Sequence, residues 1–211
     1  EQNIEQNIYK HINYLTNIFW DYNKQDLLLK KRLEYYSIID CNKNFTSIEP
    51  SINNYLNNSR NFFATTSLKQ TIDYSNIIFI NVRTESHKDG RYDHSDLDSL
   101  IESIIALGKQ KEEKHIVIAT NVNPGFCNQL AKILDQLNYK ISFNPEYVPQ
   151  GRLIEWNEYP EIVVIGEADK QAGDELEIVL TKVCKNNPPI YRMDRLSAEI
   201  SKLALNCFLT V

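Results

Sequence analysis

Residues 115–137 read HIVIATNVNPGFCNQLAKILDQL, and they decide the fold. His115–Thr120 is an apolar run of strand length, rich in β-branched residues. Pro124-Gly125 interrupts it. From Phe126 onward the spacing changes: Leu130, Ile133, Leu134 and Leu137 recur at three and four residues and predict a helix over 126–137. A strand without polar alternation is buried on both faces. A strand of that kind joined to a helix is the unit of a parallel sheet with helices on either side.

The same alternation repeats on both sides of this stretch. Asn76–Val82 (NIIFINV) is an apolar strand, and Leu97, Leu100, Ile101, Ile104 and Ile105 then predict a helix over 93–108. Ser95 is its expected cap and Gly108 its stop. Downstream come strands at Tyr139–Phe143 and Glu161–Ile165 (EIVVI). A helix over 174–184 runs through Leu176, Val179, Leu180 and Val183, followed by a short strand at Pro189–Arg192 and a last helix over 197–211. The expected class is α/β, a doubly wound and mostly parallel Rossmann-like sheet. The first third differs. Ile4, Ile8, Ile12, Leu15, Ile18 and Tyr22 follow helical spacing, residues 25–35 continue as a second helix, and Tyr36–Asp40 (YSIID) is a strand ending in an acid. The domain reading is therefore a helical segment over 1–35, a degenerate first βα unit. An α/β domain follows over 36–193, and the start of an inter-domain helix over 194–211. The chain does not begin with Met and stops within an apolar helix, so a piece of a longer chain or a processed product is expected.

Composition removes several functions. A net charge of −5 without a basic stripe argues against nucleic-acid binding. The four cysteines and four histidines show no CxxC or HxxxH spacing, which argues against a structural zinc site. Unpaired thiols suit a reduced, cytoplasmic setting, and no apolar run reaches membrane-spanning length. His87 and His94 flank the loop HKDGRYDH, which reads as solvated rather than metal-binding. GEADKQAG (166–173) lacks the Lys-Ser/Thr of a phosphate loop. Cys207 reads as a small buried apolar residue.

Four motifs stand in order: Thr120-Asn121-Val122-Asn123-Pro124-Gly125-Phe126, then Asn144-Pro145-Glu146-Tyr147-Val148-Pro149-Gln150-Gly151, then Ile162–Gly166, then Ala198-Glu199-Ile200-Ser201-Lys202-Leu203-Ala204-Leu205-Asn206. Upstream, Phe79–Thr84 and Ser47-Ile48-Glu49-Pro50 add to the set. Together, over roughly 47–211, they resemble the UDP-glucose/GDP-mannose dehydrogenase family. Its members read S-T-V-P-P-G-F-T, N/S-P-E-F-L-R-E-G, R-I-V-I-G and A-E-x-x-K-L-x-x-N, with F-I-x-V-x-T-P and P-I-x-E-P before them.

The resemblance implies an NAD-dependent enzyme that oxidises the C6 alcohol of a nucleotide sugar twice, to the uronic acid. It also implies a second domain, beyond a long helix, that carries the catalytic cysteine, and a homodimer paired through that helix. Glu146 stands at the family's first motif glutamate, and Thr84 keeps the threonine of its T-P dipeptide. Lys202 and Asn206, at i and i+4, share a helix face and can donate hydrogen bonds to an oxyanion. Two matched positions are substituted. Asn121 replaces a threonine, and Gln150 replaces a glutamate, where an amide cannot act as a general base. Asp40 falls where a ribose-binding acid ends the second strand.

The glycine fingerprint is missing. The six glycines are at 90, 108, 125, 151, 166 and 173, and residues 16–22, where the pyrophosphate turn belongs, read TNIFWDY. Two functions are expected from this: the cofactor-side half of a nucleotide-sugar dehydrogenase without independent catalysis, or a fold retained as a structural or binding module.

Overall fold

The computed structural model describes residues 17–20, 65–82, 84–148 and 153–210. Along the chain these form β1 (Asn17–Trp20), α1 (Leu68–Tyr74), β2 (Ile77–Ile80), α2 (Ser95–Ala106), β3 (Lys114–Ile118) and α3 (Phe126–Leu134). A 3-10 turn over Asp135–Leu137 precedes β4 (Tyr139–Phe143) and α4 (Leu153–Glu158). Then come β5 (Val163–Glu167), α5 (Lys170–Val183), β6 (Ile190–Asp194) and α6 (Arg195–Thr210).

The strands form one sheet in the order β1-β2-β3-β4-β5-β6. β2, β3 and β4 run parallel, with Ile78 opposite Ile116 and Ile116 opposite Ile141. β5 and β6 also run parallel to each other, from Val163 opposite Ile190 to Glu167 opposite Asp194. The second pair is reversed relative to the first, because β4 meets β5 antiparallel where Phe143 faces Gly166. The fold is the expected mostly parallel, Rossmann-like α/β sheet.

Alternate residues of each strand face opposite sides. On one side Ile78, Ile80, Ile116, Ile118, Ile141, Phe143 and Val164 pack with Leu97, Leu100 and Ile104 of α2, Leu130 and Leu134 of α3, and Ala198 of α6. On the other, Ile77, Phe79, Val117, Val163 and Ile165 pack with Leu176, Val179 and Leu180 of α5. Gly166 brings α6 down onto the sheet. A Cβ there would stand 2.9 Å from the Ala198 Cβ and 3.0 Å from the Arg195 Cα.

Several local expectations change. Asn17–Trp20 is a strand paired antiparallel to β2, although its spacing predicts helix. Pairing across the sheet supplies the backbone hydrogen bonds that a helix would make internally. The rest of the helical reading over 1–35, and the strand Tyr36–Asp40, lie outside the described residues. Ser95 is the first residue of α2 rather than its cap, since the Asp93 carboxylate accepts from both the Ser95 N–H (2.9 Å) and its hydroxyl (2.7 Å). α5 begins four residues before Asp174, because Asp169 caps it by accepting from the Ala172 N–H at 2.9 Å. Cys207 is exposed, not buried, because it lies on the side of α6 turned away from the sheet.

Candidate functional site

In a doubly wound sheet, ligands lie beyond the carboxyl ends of the parallel strands. Here that edge is made by the residues after β2, β3 and β4, and α6 crosses over it. After β2 and β3, the Thr120 hydroxyl donates to the Val82 carbonyl at 2.5 Å. With its proton committed there, Thr120 accepts from the hydroxyl of Thr84, 3.4 Å away.

The turn after β3 is organised by Asn123. Its Oδ1 accepts from the Tyr92 N–H and its Nδ2 donates to the Tyr92 carbonyl, both at 3.0 Å. One side-chain amide thus pairs with a backbone residue much as a strand would, and docks the loop 85–93 onto the site. The Asn123 N–H donates to His94 Nε2 at 3.2 Å, so that nitrogen carries no proton. The His94 ring stands edge-on to Phe126 with centroids 4.4 Å apart, and burial holds its pKa below the ordinary value against the pull of Asp98 and Asp93. His94 therefore serves hydrogen bonding and packing, whereas His87 is exposed. Among the described residues no cluster of His, Cys, Asp or Glu could hold a metal ion. Asn121 is half-buried on the same turn.

α6 brings the matched pair to this edge. Lys202 Nζ donates to the Glu146 carbonyl at 2.6 Å and lies 4.7 Å from the centre of the Tyr147 ring. Burial lowers the Lys202 pKa, opposed by the Glu146 charge. Asn206 Nδ2 donates to the Tyr92 hydroxyl at 3.2 Å. Glu146, Lys202, Asn206, Asn121 and Thr84 therefore come from three strand ends and one helix to a common edge. Gln150 and Asp40 lie outside the described residues.

Three further residues belong to this edge. Asn123 and Tyr92 tie the turn after β3 to Asn206. Glu199 is 1% exposed, and its two carboxylate oxygens accept from the Gly125 and Cys127 N–H groups at the head of α3. Burial, followed by the neighbouring Glu199 charge, pushes the Cys127 thiol well above its usual range, so it is not a nucleophile. A signal for Glu199 exists in the sequence: it lies three residues before Lys202 and seven before Asn206, on the same helix face.

The sequence model of the UDP-glucose/GDP-mannose dehydrogenase family, NAD binding domain, matches residues 36–184. The chain belongs to this family. Among its relatives, GDP-mannose 6-dehydrogenase of Pseudomonas aeruginosa is 29% identical over 171 residues, 75% of this chain and 38% of that one. UDP-glucose 6-dehydrogenase of the same organism is 29% identical over 154 residues, 69% of this chain and 33% of that one. The chain thus spans well under half the length of these relatives. The structure of a ternary complex of GDP-mannose dehydrogenase from Pseudomonas aeruginosa superposes with a TM-score of 0.68 at 28% identity, over 77% of this chain and 39% of that one. A UDP-glucose dehydrogenase from Pyrobaculum islandicum shares the fold, with a TM-score of 0.65 at 20% identity over 96% of this chain and 47% of that one. The family match begins at residue 36, beyond the stretch where the glycine turn would fall. No helix among the described residues is long and apolar enough to cross a membrane.

Proposed function

We propose that this chain is a cofactor-side domain of the nucleotide-sugar dehydrogenase type that does not oxidise a sugar on its own. In this reading it keeps the sugar-facing edge of the family's site as a nucleotide-sugar binding module. The observation that carries the reading is the absence of any glycine before Gly90. The pyrophosphate of NAD needs a close backbone approach at the first strand-to-helix turn, which bulky side chains prevent. The direction of β1 adds support. It pairs Trp20 with Ile77, at the amino end of β2, so β1 ends at the edge opposite Thr84 and Thr120. Neither feature fits the usual dinucleotide cradle. Gln150 replaces a glutamate that could transfer a proton and Asn121 replaces a threonine, while each keeps a polar side chain of similar size.

What remains at the edge suits a polyol bearing a developing or resident negative charge. Lys202 supplies an ammonium, Asn206 an amide and Glu146 a carboxylate. Titration calorimetry of this chain with NAD should show no saturable binding at tens of micromolar, and saturable binding there would overturn the proposal. Thermal shift with UDP-glucose, UDP-GlcNAc and GDP-mannose should show stabilisation by at least one of them. At a hundred times Kd that linkage is worth about 2.7 kcal/mol, and Lys202→Met should abolish it. Stabilisation by none of the three favours a structural scaffold over a binding module.

A second reading, self-association, is favoured by one observation. Leu196, Ile200 and Phe208 are 37%, 50% and 79% exposed along the side of α6 away from the sheet. We propose that this apolar strip pairs with a second copy. Sedimentation equilibrium should find a dimer, and Ile200→Glu should return it to monomer.

A further inference from the structure

α3 begins without a cap of its own. Its N-cap is Gly125, at φ +88°, which has no side chain to offer, and no local side chain accepts from the first turn. Free amides at a helix head need an acceptor and favour a negative one. They find it 74 and 72 residues further along, in the Glu199 carboxylate. Oε2 takes the Gly125 N–H at 2.5 Å and Oε1 the Cys127 N–H at 2.8 Å.

Glu199 lies on α6, one turn before Lys202 and two before Asn206. Elsewhere α6 is held by the Ala198 methyl against Gly166, a contact that tolerates rotation, and at its first residue by the long Arg195 side chain, which donates to Asn128 Oδ1 at 2.8 Å and to the Ile141 carbonyl at 3.1 Å. The two bonds to Glu199 act on the body of α6, one turn before Lys202, and their direction fixes the rotation of the helix there. We propose that Glu199 is a positioning residue. By gripping two amides at the head of α3, it sets the rotation of α6 and so delivers Lys202 to Glu146 and Asn206 to Tyr92. The importance of that delivery rests on the proposed role of Lys202 and Asn206 at the sugar-facing edge.

The chemistry requires a carboxylate of this length. Glutamine keeps one accepting oxygen but turns an NH2 toward the other amide, donor against donor. Aspartate keeps the charge but is a methylene too short to reach both amides. The test follows the Lys202 ammonium by NMR in chain labelled at lysine, with Lys202 assigned by its loss in Lys202→Arg. In Glu199→Gln the Lys202 titration should move upward, toward that of an ordinary exposed amine, as α6 turns it out of its half-buried place. Ile104→Val, a core change remote from these contacts, should lower stability and leave Lys202 unmoved. A folded Glu199→Gln with an unchanged Lys202 titration overturns the proposal. Should that variant not fold, the unaltered chain decides. The Gly125 and Cys127 amides should exchange with solvent about a hundredfold more slowly than those of an open turn, and exchange at open-turn rates overturns it. Neither readout uses a nucleotide, so failure of sugar-nucleotide binding and failure of this positioning role are separately visible.

Discussion

The two faces of the sheet use glycine for opposite purposes. On the face covered by α2, α3 and α6, Gly166 makes room for fixed groups: the Arg195 Cα and the Cβ atoms of Ala198 and Phe143. On the face covered by α5, Gly173 makes room for the ends of long side chains. A Cβ there would stand 2.0 Å from Glu167 Oε2 and 2.4 Å from Arg192 Nη2. Those ends belong to a cluster in which Arg192 donates to Glu167 (2.7 Å), Asp174 (2.5 Å), Glu177 (3.0 Å) and the Lys170 carbonyl (2.9 Å). The α5 face also buries a polar chain. The Ala168 N–H donates to Ser142 Oγ (3.2 Å), which lies 2.8 Å from His115 Nε2. On the other side of the ring, His115 Nδ1 lies 3.8 Å from Glu175 Oε2. Around its glycine, one face meets backbone and hydrocarbon, the other groups that can move or titrate.

The largest consequence is a pH dependence that belongs to the α5 face. Burial, reinforced by the Lys140 charge and opposed by Asp169, lowers the His115 pKa to about 4. The unfolded chain takes up that proton near pH 6.5. Between these values the unfolded state binds more protons than the folded one, so stability falls as pH falls from about 6.5 to about 4, by on the order of 3 kcal/mol. Urea denaturation at pH 7 and pH 4.5 should show the loss, and His115→Gln should remove most of it. An unchanged slope in that variant would mean that the sensitivity lies elsewhere.

The two glycines give the smaller effects and test the contrast directly. Gly166→Ala should cost about 2 kcal/mol, because the neighbours that must yield are backbone and Cβ atoms. Gly173→Ala should change stability by less than about 1 kcal/mol in either direction. The side-chain ends can swing aside, half-exposed ion pairs contribute little, and alanine suits a helix interior better than glycine. Thermal melts of the two variants side by side decide the matter: a Gly173→Ala loss equal to that of Gly166→Ala would erase the distinction between the faces.

Much of this was legible in the sequence, for reasons that particular residues make plain. β4 has the bounds that its apolar run predicts, and β3 lies within one or two residues of them, since an apolar run between turn signals leaves little freedom. Lys202 and Asn206 were readable as a pair because helix spacing puts them on one face. The grip of Glu199 on the head of α3 was not, because its partners are more than seventy residues away in sequence. β1 was misread because a four-residue element takes its state from the strand it pairs with. The reversal between β4 and β5 was also hidden, since an apolar run such as EIVVI carries no mark of direction.

That reversal has a further consequence for which parts of the chain can change length. Because β5 and β6 run back against β4, α6 starts beside the carboxyl end of β4, with Arg195 packed on Gly166 opposite Phe143 and its Nη1 donating to the Ile141 carbonyl at 3.1 Å. It then runs about 24 Å for its 16 residues and brings Lys202 to Glu146 and Asn206 to Tyr92. Surface loops can lengthen at a cost that grows only slowly with each added residue. An insertion in α6 between Ala198 and Lys202 is different in kind. Every residue added would swing the remainder of the helix by about 100° and carry Lys202 and Asn206 away from Glu146 and Tyr92. The spacing within this one helix behaves as a fixed ruler, and a change of length there is a change of site.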